Sequence, residues 1–208
     1  FLRKHVSNQS WDIRLPPHGT GNETYYVHSD SHSCFVKLGA KTERYQVRSE
    51  MGLSPQVIAT GRLEDGTSIL VQQRIAGSKP SRADFHRLLP RFAESIRQTH
   101  QSETLQGLLP AQSSDLFSDV GSAVLGEIEA RWRKYEPFVA PSASQYVNQK
   151  IAYLHEQIRQ FAGGGLVASH NDICNGNWLV STDGKLYLLD YEGMSLDDPA
   201  LDLGAILW

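Results

Sequence analysis

Residues 167–180, "VASHNDICNGNWLV", set a block of polar groups between two apolar runs, and no other stretch restricts the chain as much. A solvated loop has no need of "LVAS" before it and "NWLV" after it. Short apolar runs of this kind read as buried strands. The loop from His170 to Asn177 therefore stands at the rim of a packed core, where polar groups need partners from the chain or from a ligand. A further carboxylate, Asp190, follows at a strand end in "LLDYEGM". Asp172 and Asn177 in one loop and Asp190 at the neighbouring strand end can converge on one point. Phosphoryl transfer needs such a set. Mg²⁺ takes hard oxygen donors, commonly one or two carboxylates beside phosphate oxygens and water. A separate carboxylate must reach the acceptor hydroxyl.

The chain has 208 residues, enough for one large domain or two small lobes sharing a cleft. A net charge of −3 leaves no electrostatic footprint for nucleic acid and no basic block for an anionic membrane. No apolar run approaches the length of a membrane span. Two cysteines, Cys34 and Cys174, lie in different segments without metal-ligand spacing, which fits a reducing, cytoplasmic setting. The sequence starts without Met and stops at "LGAILW" inside an apolar pattern, so both ends are expected to belong to a longer protein.

Residues 24–38 read as two strands around a polar turn at Ser29–Ser33, and 42–51 as a short helix ended by Gly52. "PQVIATGRL" and "TSILVQQRI" flank Glu64-Asp65-Gly66, a hairpin signal. Four strands and one helix thus make a small lobe over 1–77. Residues 78–208 form a mainly helical lobe. Its first helix, 81–100, places Phe85, Leu88, Leu89, Phe92 and Ile96 on one face, with Ser81 and Asp84 as a capping box and Pro90 as a kink or break. Helices over 115–135 and 144–162 follow, then Gly163-Gly164-Gly165 and strands at 166–169, 178–180 and 186–189.

"HNDICNGN" fits the pattern H-x-D-x-x-x-x-N, and here the sequence resembles the aminoglycoside phosphotransferase / choline kinase family. "LLDYEGM" is similar to that family's metal-binding strand and "DPALDLG" to the segment after it. The resemblance extends from about Gly19 to Gly204. It implies an α+β, protein-kinase-like two-lobe fold with a small antiparallel β lobe carrying one helix. The helical lobe would carry short catalytic strands, with its last helices missing from this chain. It implies ATP and Mg²⁺ as cofactors. Asp172 would be the catalytic base, Asn177 and Asp190 would hold Mg²⁺, and His170 would brace the loop. In "FVKLG", Lys37 would contact the α- and β-phosphates and pair with Glu43, for which Glu50 is the rival. Gly19 and Gly21 would cover the phosphates, and the backbone from Gln73 to Ile75 would meet adenine. Asp202 would brace the catalytic loop through backbone hydrogen bonds.

The departures from protein kinases are informative. Those enzymes carry Arg before the catalytic Asp and Phe-Gly after the metal Asp; here Asn171 and Tyr191-Glu192 occupy those positions. A dozen positions between Asp190 and Asp202 leave no room for a long activation loop or a peptide platform. A small hydroxylated acceptor is implied. Asp172, Asp190, Glu192, Asp197 and Asp198 make the catalytic face acidic, which favours a cationic acceptor such as an aminoglycoside or choline. Neutral sugars remain open, as does a nucleotide-binding module without turnover. A plain α+β interaction domain leaves the polar block unexplained. Cys174 beside His170 has no further Cys or His at zinc-ligand spacing.

Overall fold

The structure, a computed structural model, describes residues 1–16, 23–109, 120–160 and 165–206. The chain runs through α1 (Leu2–His5), β1 (Asp12–Arg14), β2 (Thr24–His28), β3 (Ser33–Leu38), α2 (Thr42–Glu50), β4 (Val57–Arg62), β5 (Ser68–Gln73) and β6 (Gly77–Ser78). It continues with α3 (Arg82–His100), α4 (Glu103–Leu108), α5 (Val120–Tyr135), α6 (Pro141–Gln160), β7 (Val167–Ser169), β8 (Trp178–Ser181), β9 (Leu186–Leu188), β10 (Ser195–Asp197) and α7 (Pro199–Ile206). This is a kinase-like α+β fold of two lobes. No described helix is long and apolar enough to cross a membrane.

The small lobe is an antiparallel sheet in the order β1-β2-β3-β5-β4. Side chains alternate across it. Val27, Cys34, Val36, Ile69 and Val71 bury one face against Phe1, Leu2, Val6 and Trp11 of the N-terminal segment. Leu70 points to the opposite face and joins Tyr45, Val47 and Met51 of the α2 region in the main core. Lys37 pairs with Leu70 in the β3–β5 register, so it shares that inner face with α2.

The sheet has five strands where the sequence predicts four. β1 is an exposed edge strand of three residues, too short to show an alternation. α1 also escapes the sequence reading. Gly66, at φ 86°, closes the β4–β5 hairpin as its sequence predicts.

In the large lobe α3 runs unbroken from Arg82 to His100, so of the expected kink or break at Pro90 the break does not occur. Pro90 faces solvent, while Leu88, Phe92 and Ile96 are buried on either side of it. The Ser81–Asp84 capping box secures the start of the helix. Buried side chains of this size contribute about 1.5–3 kcal/mol each, which offsets a proline cost of about 3 kcal/mol. Leu89 was placed on that face and instead points outward, 55% exposed. Phe92 stacks on Phe85 and meets Trp178 edge-on, both at 4.6 Å between ring centres. The next two helices are Val120–Tyr135 and Pro141–Gln160, and the outer parts of the predicted spans, 115–119 and 161–162, lie outside the described residues.

Two small sheets carry the polar block. β7 pairs with β10, a strand the sequence reading missed, and β8 pairs with both β6 and β9. β6 brings the chain from the small lobe directly onto β8. A Cβ at Gly77 would run into the carbonyl of Val180, so only glycine permits this approach.

Candidate active site

β7 delivers the chain to His170, which is fully buried. Its ring Nε2 lies 3.0 Å from the carbonyl oxygen of Leu189, so Nε2 carries the proton. Nδ1 then accepts from the Asp172 amide at 3.3 Å. Burial pushes the His170 pKa down, so the ring is neutral and acts as a brace between loop and strand. Asp202 holds the same turn from below. Its two oxygens accept the amides of His170, at 2.8 Å, and Asn171, at 2.9 Å, while His100 Nε2 sits 2.9 Å from Oδ2. Burial alone would raise the Asp202 carboxyl, but the bonds from His100 and the two amides outweigh it and leave the pKa below the ordinary value.

Asn171 has φ 63°, a left-handed conformation that Asn tolerates better than most residues. Its side chain secures it, accepting from Ser169 Oγ at 2.7 Å and donating to Ser195 Oγ and the Gly193 carbonyl. The turn projects Asp172 into solvent, with Ile173 buried behind it. Asn177 Nδ2 donates to the Asp172 carboxylate and to its main-chain carbonyl, both at 2.8 Å. The amide nitrogen of Asn177 thus orients Asp172, and Oδ1 takes no hydrogen bond among the described residues.

Leu189 N–H donates to the Asn177 carbonyl at 2.7 Å, which sets Asp190 beside Asn177. Asp190 also has a left-handed backbone, φ 64°. Its carboxylate accepts from Lys37 Nζ at 2.7 Å across the cleft. Tyr191 then plunges into the core. Its ring meets Tyr45 and His170 edge-on, at 5.0 and 5.4 Å between centres, with the Arg48 guanidinium 5.3 Å from its centroid. Arg44 donates to the carbonyls of Tyr191, Glu192 and Met194, and Lys41 donates to that of Glu192.

Lys37 is 5% exposed, as a charged group is only when paired. The expected pair with Glu43 is not formed. Glu43 faces solvent, and Glu50, the rival, is exposed and accepts from Gln46. Lys37 instead meets Tyr45 Oη at 3.0 Å, Asp190 at 2.7 Å and Glu192 at 3.4 Å. The reason is rotational: α2 turns Arg44, Tyr45 and Arg48 inward, which carries Glu43 out. Sequence reasoning missed all three. The available signal was a helix inserted on a sheet with too few apolar residues to cover it. Arg48 is fully buried at the last turn of α3, donating to Ser95 and Thr99 hydroxyls, with no carboxylate partner among the described residues. The helix dipole is negative at that end.

At the crossing between lobes, the Gln73 amide donates to the Gln56 carbonyl and the Arg74 amide to that of Ser33. The Ile75 amide has no such partner among the described residues. Gly19 and Gly21 lie outside the described residues. The acidic face is smaller than the sequence suggests. Lys37 offsets one of the two charges on Asp190 and Glu192, and Asp197 is buried, with its carboxyl pushed up by that burial.

Among the described residues no three His, Cys, Asp or Glu side chains gather to hold a metal. An amide and one carboxylate, Asn177 and Asp190, do stand at neighbouring strand ends, beside a buried lysine and a base-like carboxylate on a braced turn. The same architecture occurs in solved phosphotransferases. The GDP and kanamycin complex of APH(2")-IIia matches with a TM-score of 0.70 and 15% identity over 99% of this chain and 75% of that one. A ternary complex of a thermostable APH(4)-Ia mutant with AMP-PNP and hygromycin B gives 0.68 and 14% over 99% and 74%. The ADP and spectinomycin complex of APH(9)-Ia gives 0.63 and 17% over 99% and 70%. At these identities the likeness is one of fold. A sequence model of the phosphotransferase enzyme family matches residues 12–208, nearly the whole chain, and the chain belongs to that family.

Proposed function

We propose that this chain moves the γ-phosphoryl group of ATP, bound with Mg²⁺, to a hydroxyl of a small molecule. The observation that carries the reading is the placing of Asp172. It is exposed and unconsumed by Lys37, and its carboxylate is aimed by Asn177 from a turn that Asp202 and His170 hold still. In that position it orients the acceptor hydroxyl and takes its proton. Asn177 Oδ1 and the Asp190 carboxylate are hard donors of the kind Mg²⁺ takes beside phosphate oxygens. When bound, the ion neutralises phosphate charge. Lys37 supplies positive charge to the α- and β-phosphates from the inner face of the sheet. The Ile75 amide is the donor that an adenine edge would meet.

The acceptor in this reading is small, hydroxylated and amine-bearing, an aminoglycoside or a choline-like amino alcohol. Two features support small size. Residues between Asp190 and Asp202 are consumed by β10 and the start of α7, and the similar structures hold kanamycin, hygromycin B and spectinomycin. The test is nucleoside diphosphate release with ATP and, separately, GTP, against a panel of aminoglycosides and amino alcohols. Acceptor-dependent release abolished by Asp172→Ala is the expected result. Tight Mg-ATP binding with no release for any acceptor would sink the transferase reading.

A further inference from the structure

We propose that Tyr45 and Glu192, and not an acid of α2, position Lys37, so that Asp190 can be shared with a metal-bound nucleotide without stranding the buried lysine. This rests on the phosphotransferase reading and specifies how its site is organised. A phenol hydroxyl has one proton to give and can accept two. Tyr45 Oη uses all three. It accepts from Lys37 Nζ at 3.0 Å and from the Tyr191 amide at 3.3 Å, and it lies 3.1 Å from Glu192 Oε1, to which it donates. Asp190 Oδ1, at 3.5 Å, is the poorer acceptor for that single proton. The orientation of Tyr45 is therefore fixed from three sides, and with it the place of Lys37.

Charge explains why a phenol stands here. Lys37 faces two carboxylates already, Asp190 and Glu192. A third from α2 would leave two negative charges unbalanced around one ammonium in a half-buried site, which low dielectric makes costly. Tyr45 supplies an acceptor without a charge. The two carboxylates differ in access: the Asp190 side chain is 48% exposed and that of Glu192 22%. Asp190 is the one a cation reaches, and Glu192 stays with the lysine. Tyr45 and Glu192 are positioning residues, since neither needs to touch the reacting atoms.

The test reads Lys37 directly, by its rate of acetylation with acetic anhydride, resolved by mass spectrometry on the full chain without ligand. Lys185, a surface lysine paired with Asp183, serves as the internal reference for reagent dose, and circular dichroism checks the fold of each variant. Tyr45→Phe and Glu192→Gln should each raise Lys37 acetylation by about tenfold, the scale of one lost hydrogen bond to a charged group. The double variant should exceed either single but fall short of the product of the two, because each residue contacts Lys37 and the two are bonded to one another. Glu43→Gln should change it by less than about twofold. The four variants and the unaltered chain are also titrated with ADP at fixed Mg²⁺ by calorimetry, where Tyr45→Phe should weaken binding about tenfold. Unchanged Lys37 labelling in Tyr45→Phe, or an equal rise in Glu43→Gln, overturns the positioning alone. Failure of the unaltered chain to bind Mg-ADP overturns the phosphotransferase reading itself.

Discussion

The loop 170–177 and the segment 189–194 each present a carboxylate to the same cleft, but their ties run in different directions. The loop is held within the large lobe: Asp202 takes two of its amides, His170 reaches Leu189, and Asn177 closes back on Asp172. The segment is tied to that loop through Leu189 and Gly193 and is held in addition from the small lobe, by Lys37, Lys41, Arg44 and Tyr45. Asp190 therefore depends on α2 more directly than Asp172 does. In the proposed reading the base would belong to the floor of the large lobe and the cation site to the joint between lobes.

Deleting the two carboxylates separates the regions most sharply. Asp172→Ala should lower turnover by about 10²–10⁴-fold, the range of general-base assistance, with Mg-nucleotide affinity nearly intact. Asp190→Ala should weaken both. Single-turnover kinetics beside nucleotide titration decides this, and equal loss of affinity in the two variants would merge the roles kept apart here. Next in size is Arg44→Met, which strips a charged donor from three carbonyls. It should destabilise the fold by about 2–3 kcal/mol and weaken Mg-nucleotide binding, with the residual turnover per bound nucleotide little changed. Urea unfolding and calorimetry check it; a fall in turnover alone would show that α2 also steers the loop.

Asp202→Asn should do the opposite. It leaves one loop amide facing an NH₂ group and should cost about 1–2 kcal/mol, lowering turnover more than nucleotide affinity. Asp202 has a depressed pKa, so its contribution is present above about pH 4 and lost as pH falls through the folded value. The smallest effect concerns His170. Its folded pKa is also below the ordinary value of 6.5, so the unfolded chain takes up the proton first. Its stability contribution is complete above about pH 6.5 and is lost as pH falls, by at most about 1.4 kcal/mol per unit. Unfolding free energies at stepped pH should show that slope flattened in His170→Asn; an unaltered slope would mean that other groups carry it.

Period and punctuation made much of this legible. Alternation and Asp65-Gly66 locate the β4–β5 hairpin, and the motif run places Asp172, Asn177 and Asp190 around one cleft. What escaped has a common cause. Lys37 was read as a lysine needing an acid, and the nearest acid on the next helix was Glu43. Helix rotation is set by which side chains the sheet and the segment 189–194 accept, and an inward face of Arg44, Tyr45 and Arg48 looks solvent-facing on any hydropathy pattern. β1 and β10 are strands only because a partner is there to pair with, and three residues carry no period of their own.

The pairing of β6 with β8 has a mechanical side. Ala76 is tied to Thr182 and Gly77 to Ser181, while Gln73 and Arg74 are fastened to the small lobe. The backbone that can flex between the two bodies is thereby cut to a link centred on Ile75. A bending joint so short acts as a leaf spring, stiff in sliding and soft in one rocking mode. The unspent amide of Ile75 sits at its midpoint, so a base docked there splints the spring. In the proposed reading, nucleotide release would be coupled to bending at this link, and Ile75→Gly should loosen nucleotide binding.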